Sequence, residues 1–233
     1  MTLTPAALAA TLDATNLRLD ATADDIRALC VEALQQAYAC VMIYPTSVAL
    51  AARVLSGSDV RIGTVVGFPS GRMSTQAKAA EIACAAKSGA HEVDIVMHYA
   101  ALRDGTPSDA ATELHTLTRQ AHDLGLLVKV ITENCYLAED QILAALQMCE
   151  EAGADFIKTS TGFGSAGANA THIALWAKHR TGRIKIKAAG GIRTLKDAEA
   201  LLAAGADRIG TSNARGLLSE LQNRAVSAKC GLL

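Results

Sequence analysis

The 233-residue chain has almost no net charge: 22 basic residues stand against 23 acidic ones, for a formal charge of −1. The charges are spread evenly, with no basic stripe to neutralise a nucleic-acid backbone and no polybasic membrane patch. No apolar run approaches the roughly 20 residues a membrane helix needs. The opening MTLTPAALAATLDATNL lacks the basic stretch and long apolar segment of a signal peptide. These absences argue against nucleic acid and membrane as partners and lead us to expect a soluble, cytoplasmic protein acting on a small molecule. Six cysteines (Cys30, Cys40, Cys84, Cys135, Cys149, Cys230) lack the paired spacing of a zinc or redox site and read as reduced thiols. His91, His98, His115, His122, His172 and His179 show no metal-like spacing, so no metal is expected. No strand-like segment is followed by GxGxxG, and neither GxxxxGKS nor GxxxxGKT occurs, which removes the best support for a nucleotide-binding open sheet. No linker, charge run or low-complexity segment divides the chain, so residues 1–233 are read as a single domain.

What recurs is a join: SGAHEVDIV from Ser88, AGADFIKTS from Ala152 and AGADRIGTS from Ala204. Each follows an Ala-rich helical stretch. The glycine supplies a left-handed helix cap and the apolar run after it a buried strand. Extending the pattern predicts strands at 11–13, 40–43, 61–66, 92–97, 127–132, 155–159, 184–188 and 208–210. Helices are predicted at 22–37, 47–55, 75–88, 109–124, 139–152, 169–179, 195–204 and from 212 onward. Eight alternating pairs point to an α/β fold, a closed (β/α)₈ TIM barrel, although an open doubly wound sheet also alternates.

In such a barrel the site lies at the C-terminal ends of the strands, so charged residues inside apolar strands are the informative ones. These are Glu92 and Asp94, Lys129, Lys158, and Lys185 with Lys187. Strand alternation puts Glu92 with Asp94, and Lys185 with Lys187, facing the lumen. A single buried lysine is more often half of a satisfied ion pair than a nucleophile. Here Lys158 and Lys187 fall on adjacent strands at similar heights, and one ammonium disfavours charge on the other. A lysine must lose its proton to attack a carbonyl. With a pKa of ~10.4 only about one molecule in 2,500 is neutral at pH 7, and bringing the pKa to ~7 costs roughly 4.6 kcal/mol, which a cationic neighbour plus partial desolvation can supply. The segments STGFGSAG, AAGGIRT and GTSNARG follow the last three strands, and their glycines and hydroxyls suit close approach of backbone N–H groups to a phosphate. Asp94 is a carboxylate placed to relay protons or to pair with a lysine.

The segments LDATNL, VVGFPSG, EVDIVMHYAAL, KVITENCYL, GADFIKTSTGF, IKAAGGIRT and GADRIGTSNA, in order over most of the chain, resemble the deoxyribose-phosphate aldolase family. The resemblance implies reversible cleavage of 2-deoxy-D-ribose 5-phosphate into D-glyceraldehyde 3-phosphate and acetaldehyde, in deoxyribonucleotide catabolism, without metal or organic cofactor. It implies Lys158 as the Schiff-base nucleophile, Lys187 as its pKa modulator and a proton donor, and Asp94 as the acid/base. Asp13 and Lys129 would support them. The phosphate would fall on Thr161, Gly162, Gly190, Gly191, Gly210, Ser212 and Asn213. The partners would be phosphosugar and aldehyde substrates, and the assembly a homodimer.

Several positions depart from the family pattern. Ala14 stands where histidine is common, and Met42 where a cysteine is common. A thioether cannot add to an aldehyde as a thiolate can, so activity should survive concentrated acetaldehyde longer than in a Met42→Cys variant. Asn213 replaces a smaller residue, and the terminal AKCGLL has no tyrosine. Two alternatives stay open: another phosphosugar Schiff-base aldolase, and a non-catalytic phosphosugar-binding barrel. Trp176 reads as packing, Cys135 as an ordinary thiol, and Lys129 and Lys185 as members of the lumenal charge network.

Overall fold

A computed structural model describes residues 3–230, with side chains through Arg224. The eight strands are β1 Leu12–Asn16, β2 Cys40–Ile43, β3 Arg61–Val66, β4 Glu92–Val96, β5 Leu127–Ile131, β6 Phe156–Lys158, β7 Lys185–Ala189 and β8 Arg208–Thr211. They pair in sequence order, all parallel, and β1 closes on β8. The helices are α1 Pro5–Ala9, α2 Ala23–Gln36, α3 Val48–Val54, α4 Thr75–Ser88, α5 Tyr99–Arg103, α6 Pro107–Asp123, α7 Glu139–Glu151, α8 Ala170–His179, α9 Leu195–Ala203 and α10 Ala214–Cys230. The closed barrel settles the choice against an open sheet. Four short helical pieces among the described residues escape the sequence reading: α1, α5 and the 3₁₀ turns Pro45–Ser47, which the predicted helix meets only at Ser47, and Asn134–Tyr136. Each is too short to show helical periodicity, although Thr4 caps α1 just before Pro5, a visible start signal.

The recurring join has a physical explanation. Gly89, Gly153 and Gly205 all take positive φ, and the following alanine N–H reaches back to the helix, as in Ala90 to Ala85 O, Ala154 to Cys149 O and Ala206 to Leu201 O, each 3.0 Å. The next side chain accepts the N–H of a residue at the start of the preceding strand. His91 takes Ile62 N at 3.0 Å, Asp155 takes Val128 N at 2.8 Å, and Asp207 takes Ile186 N at 2.8 Å. One tripeptide, Gly-Ala-Asp or Gly-Ala-His, thus ends a helix and sets the register of two strands.

Outward-facing strand residues such as Val41, Ile62, Val93, Val128, Ile157, Ile186 and Ile209 pack with the helices into one apolar layer. Trp176 is buried there and donates from Nε1 to Ile142 O at 3.1 Å, joining α8 to α7. Ala14 also belongs to this layer, so the family's common histidine is replaced on the face turned away from the lumen.

Candidate active site

Inside the barrel, alternation turns Asp13, Glu92, Asp94, Lys129, Lys158, Lys187 and Arg208 toward one another. Three carboxylates meet four cations, and all but Arg208 are buried. Asp94 stands at the centre. Its Oδ2 accepts from Lys158 Nζ at 2.7 Å and from Lys187 Nζ at 2.8 Å, while its Oδ1 accepts from Lys129 Nζ at 2.9 Å. Asp13 pairs with Lys187 at 2.5 Å and Arg208 at 2.6 Å, and Glu92 with Lys129 at 2.6 Å. The strand register puts Lys158 beside Lys187, and Lys129 one layer deeper, beside Phe156.

A cluster with one more cation than carboxylate becomes neutral when one lysine is uncharged, and the surroundings select Lys158. Burial disfavours its ammonium most and Lys187 adds to that; Asp94 opposes both, and the result is a pKa lowered from 10.5 to about 8. Burial therefore outranks the cationic neighbour that the sequence brought forward. Lys129 goes the other way: burial would lower its pKa, but Asp94, Asp13 and Glu92 together hold it well above the ordinary value. Asp94 and Asp13 sit below the usual carboxylate range, because the surrounding cations outweigh the burial that would raise them.

A cavity of about 700 Å³ opens at the C-terminal end of the strands. Of the three lysines of the cluster, only Lys158 lines it, together with Thr161, Gly162, Gly190, Gly191, Gly210 and Ser212. The remaining expected phosphate residue, Asn213, is not part of the lining; its Nδ2 donates to Arg193 O at 2.8 Å and its N–H to Thr211 Oγ1 at 2.9 Å. A Cβ at Gly210 would lie 3.1 Å from Lys187 Cε, so this glycine also makes room for the lysine. Arg18 and Arg193, which the sequence reading did not single out, also line this cavity. Arg18 directly follows the marked segment LDATNL, and Arg193 lies inside AAGGIRT.

An apolar cluster adjoins the cavity at Leu17. Leu17, Cys40, Met42 and Val65 form a second buried cluster under Tyr44 and Phe68. Met42 fits because Gly63 has no side chain: a Cβ there would come within 2.4 Å of Met42 Cε. Phe68 packs edge-on against Tyr44 at 6.0 Å and against Phe163 at 5.3 Å between ring centroids.

Lys185 shares the lumen-facing parity of Lys187 but is exposed at the other end of the barrel, 5.7 Å from the Phe156 ring centre. It lines a separate hollow of about 340 Å³ with Asp155 and Arg183, so it does not belong to the charge network. Asp13, Cys40 and Glu92 bring potential ligand atoms within 4.8 Å of one another. Lys129, Lys187 and Arg208 already neutralise these carboxylates, so the trio does not suit a metal ion.

Comparison with known proteins agrees with this geometry. The DeoC/LacD family aldolase profile matches residues 7–221. The chain belongs to this aldolase family. Among its relatives, deoxyribose-phosphate aldolase from Thermococcus gammatolerans is 42% identical over 214 residues, covering 91% of this chain and 95% of the relative. Deoxyribose-phosphate aldolase from Deinococcus radiodurans is 41% identical over 218 residues, covering 94% and 98%. A structure described as a unique tetrameric deoxyribose phosphate aldolase from Aeropyrum pernix superposes with a TM-score of 0.88 at 30% identity, covering 94% of this chain and 92% of that one. This aldolase chain is a lyase by family. Among its described residues no helix is long and apolar enough to cross a membrane.

Proposed function

We infer that this aldolase reversibly cleaves 2-deoxy-D-ribose 5-phosphate to D-glyceraldehyde 3-phosphate and acetaldehyde, with Lys158 as the Schiff-base nucleophile. One observation carries the reading: Lys158 is the lysine of the cluster that both opens onto the cavity and has its pKa brought down to about 8. Its neutral Nζ adds to C1 of the open-chain sugar, and the carbinolamine loses water to give an iminium. As the C3 hydroxyl gives up its proton, the C2–C3 bond breaks and its electron pair moves into the enamine, releasing glyceraldehyde phosphate. Protonation of the enamine carbon and hydrolysis then free acetaldehyde and restore the amine. Asp94, held below the usual carboxylate range, is anionic at rest and takes up a proton only transiently as it relays one between Lys158, Lys187 and water. Asp13 and Lys129 orient Lys187 and Asp94 from below.

The phosphate is taken by the backbone of Gly162, Gly190, Gly191 and Ser212, with Arg193 supplying charge. Held there, remote from the reacting carbon, it orients the sugar on Lys158. Leu17, where the apolar cluster meets the cavity, suits the methyl end of acetaldehyde. The described cysteines are free, which fits a cytoplasmic setting, and a homodimer is the expected assembly, to be checked by solution mass. Borohydride reduction with deoxyribose 5-phosphate or acetaldehyde, followed by peptide mass mapping, tests the mechanism. The expected outcome is a stable adduct on Lys158 that Lys158→Ala lacks, with turnover in that variant down by at least ~1,000-fold. A folded wild-type protein that binds the phosphosugar but forms no adduct would return the chain to the non-catalytic reading.

A further inference from the structure

Beyond the lysine cluster, the end of β5 carries a carboxylate that the mechanism above does not use. Glu133 is buried, at 1% exposure, and is one of two described non-glycine residues with positive φ, at φ 50° and ψ 58°. The other, Ala37, ends a helix on the outside of the barrel. A left-handed backbone in a residue with a side chain is retained where surrounding contacts hold it. Those contacts are specific. Glu133 accepts the Thr161 N–H at 3.1 Å on Oε1 and the Thr161 hydroxyl on Oε2, and that hydroxyl oxygen accepts the Phe163 N–H at 3.0 Å. On either side, Thr132 N donates to Lys158 O at 3.1 Å and Asn134 N to Thr159 O at 2.9 Å. Among the described residues no cation lies within ion-pairing distance of the Glu133 carboxylate.

We propose that Glu133 is a positioning residue of this aldolase: through Thr161 it fixes the loop after β6, so that Gly162 and Phe163 form the wall on which the phosphorylated substrate is held. Thr161 has both its N–H and its hydroxyl proton committed to Glu133, so its part in binding is to transmit this constraint. Gly162, next in the chain, lines the cavity with a φ of 90° and open space where a Cβ would stand, and the Phe163 ring closes onto Phe68. In Glu133→Gln the amide nitrogen would face the Thr161 hydroxyl with a second donor. One buried proton then loses its acceptor and the loop loosens.

The inference rests on the aldolase reading, and two readouts separate them. Borohydride trapping of acetaldehyde on Lys158 needs no phosphate and reports the parent reading, whereas KM for deoxyribose 5-phosphate reports Glu133. Glu133→Gln should raise that KM about tenfold with kcat changing less than threefold, the scale of one lost charged hydrogen bond, while Lys158 still traps acetaldehyde. Glu133→Asp, which keeps the charge but is shorter, should lie between wild type and Glu133→Gln. Thr161→Val should raise KM in the same direction, and the double variant should match the worse single one. The proposal is overturned by an unchanged KM, by a kcat loss at constant KM, or by effects of the two substitutions that multiply.

Discussion

The floor of the lumen and its mouth are built from the same residue types and titrate in opposite directions. On the floor, Lys129 is enclosed by Glu92 at 2.6 Å, Asp94 at 2.9 Å and Asp13 at 3.6 Å, and its pKa is raised. At the mouth, among the described residues, Lys158 has only Asp94 within ion-pairing distance and Lys187 on the same oxygen, and its pKa falls to about 8. Both lysines are buried, so burial alone does not lower a lysine's pKa; the number of carboxylates per ammonium decides. At pH 7 a lysine with a pKa of 8 is neutral about one time in ten, against roughly one in 3,000 at 10.5. The deeper layer of carboxylates and cations then serves as a fixed platform for the one amine that opens to the cavity.

Asp94 is the carboxylate both regions share, so its removal should have the largest effect. Asp94→Asn would leave Lys129, Lys158 and Lys187 short of one negative charge. Chemical denaturation should show a loss of about 3–5 kcal/mol, the cost of breaking a buried ion network from one side. Turnover should fall by at least ~100-fold. An unshifted denaturation midpoint would mean that the floor does not depend on this carboxylate.

Lys187→Met should have a smaller effect and act on the mouth. Lys187 lowers the Lys158 pKa, so its loss moves that pKa upward from about 8. On the proposed mechanism the neutral amine is the reactive form, so kcat/KM should rise with pH through the Lys158 pKa; in the variant this rise should shift up by about one unit. At pH 7 the rate should drop about tenfold or more, with part of the loss recovered near pH 9. A profile that keeps the wild-type midpoint would place the electrostatic control in burial alone.

Much of this contrast was legible in the sequence. Parity within EVD and IKIK is enough to put Glu92 with Asp94 and Lys187 in the lumen, and the Gly-Ala-Asp joins mark where strands begin. Parity gives a face but not a height. Lys185, two residues before Lys187, therefore falls at the open bottom of the barrel instead of in the network. The same rule, applied to LDATNL, sends Ala14 outward once Asp13 is placed inward, so that departure from the family pattern lies outside the lysine cluster. Glu133 could not be read. Its role depends on a positive φ that TEN does not announce and on a hydrogen bond to a residue 28 positions away. Nor could the sequence tell that Lys129 would gather three carboxylates and Lys158 one, because that depends on how adjacent strands are staggered in the closed barrel.

The most direct test is a nitrogen-15 NMR titration of the lysine side chains, with Lys158 and Lys129 assigned by substitution. The account predicts that Lys158 loses its proton with a midpoint near pH 8, while Lys129 is still charged when Lys158 is fully neutral. A Lys158 midpoint near 10.5, shared with exposed lysines, or a Lys129 that deprotonates first, would contradict it.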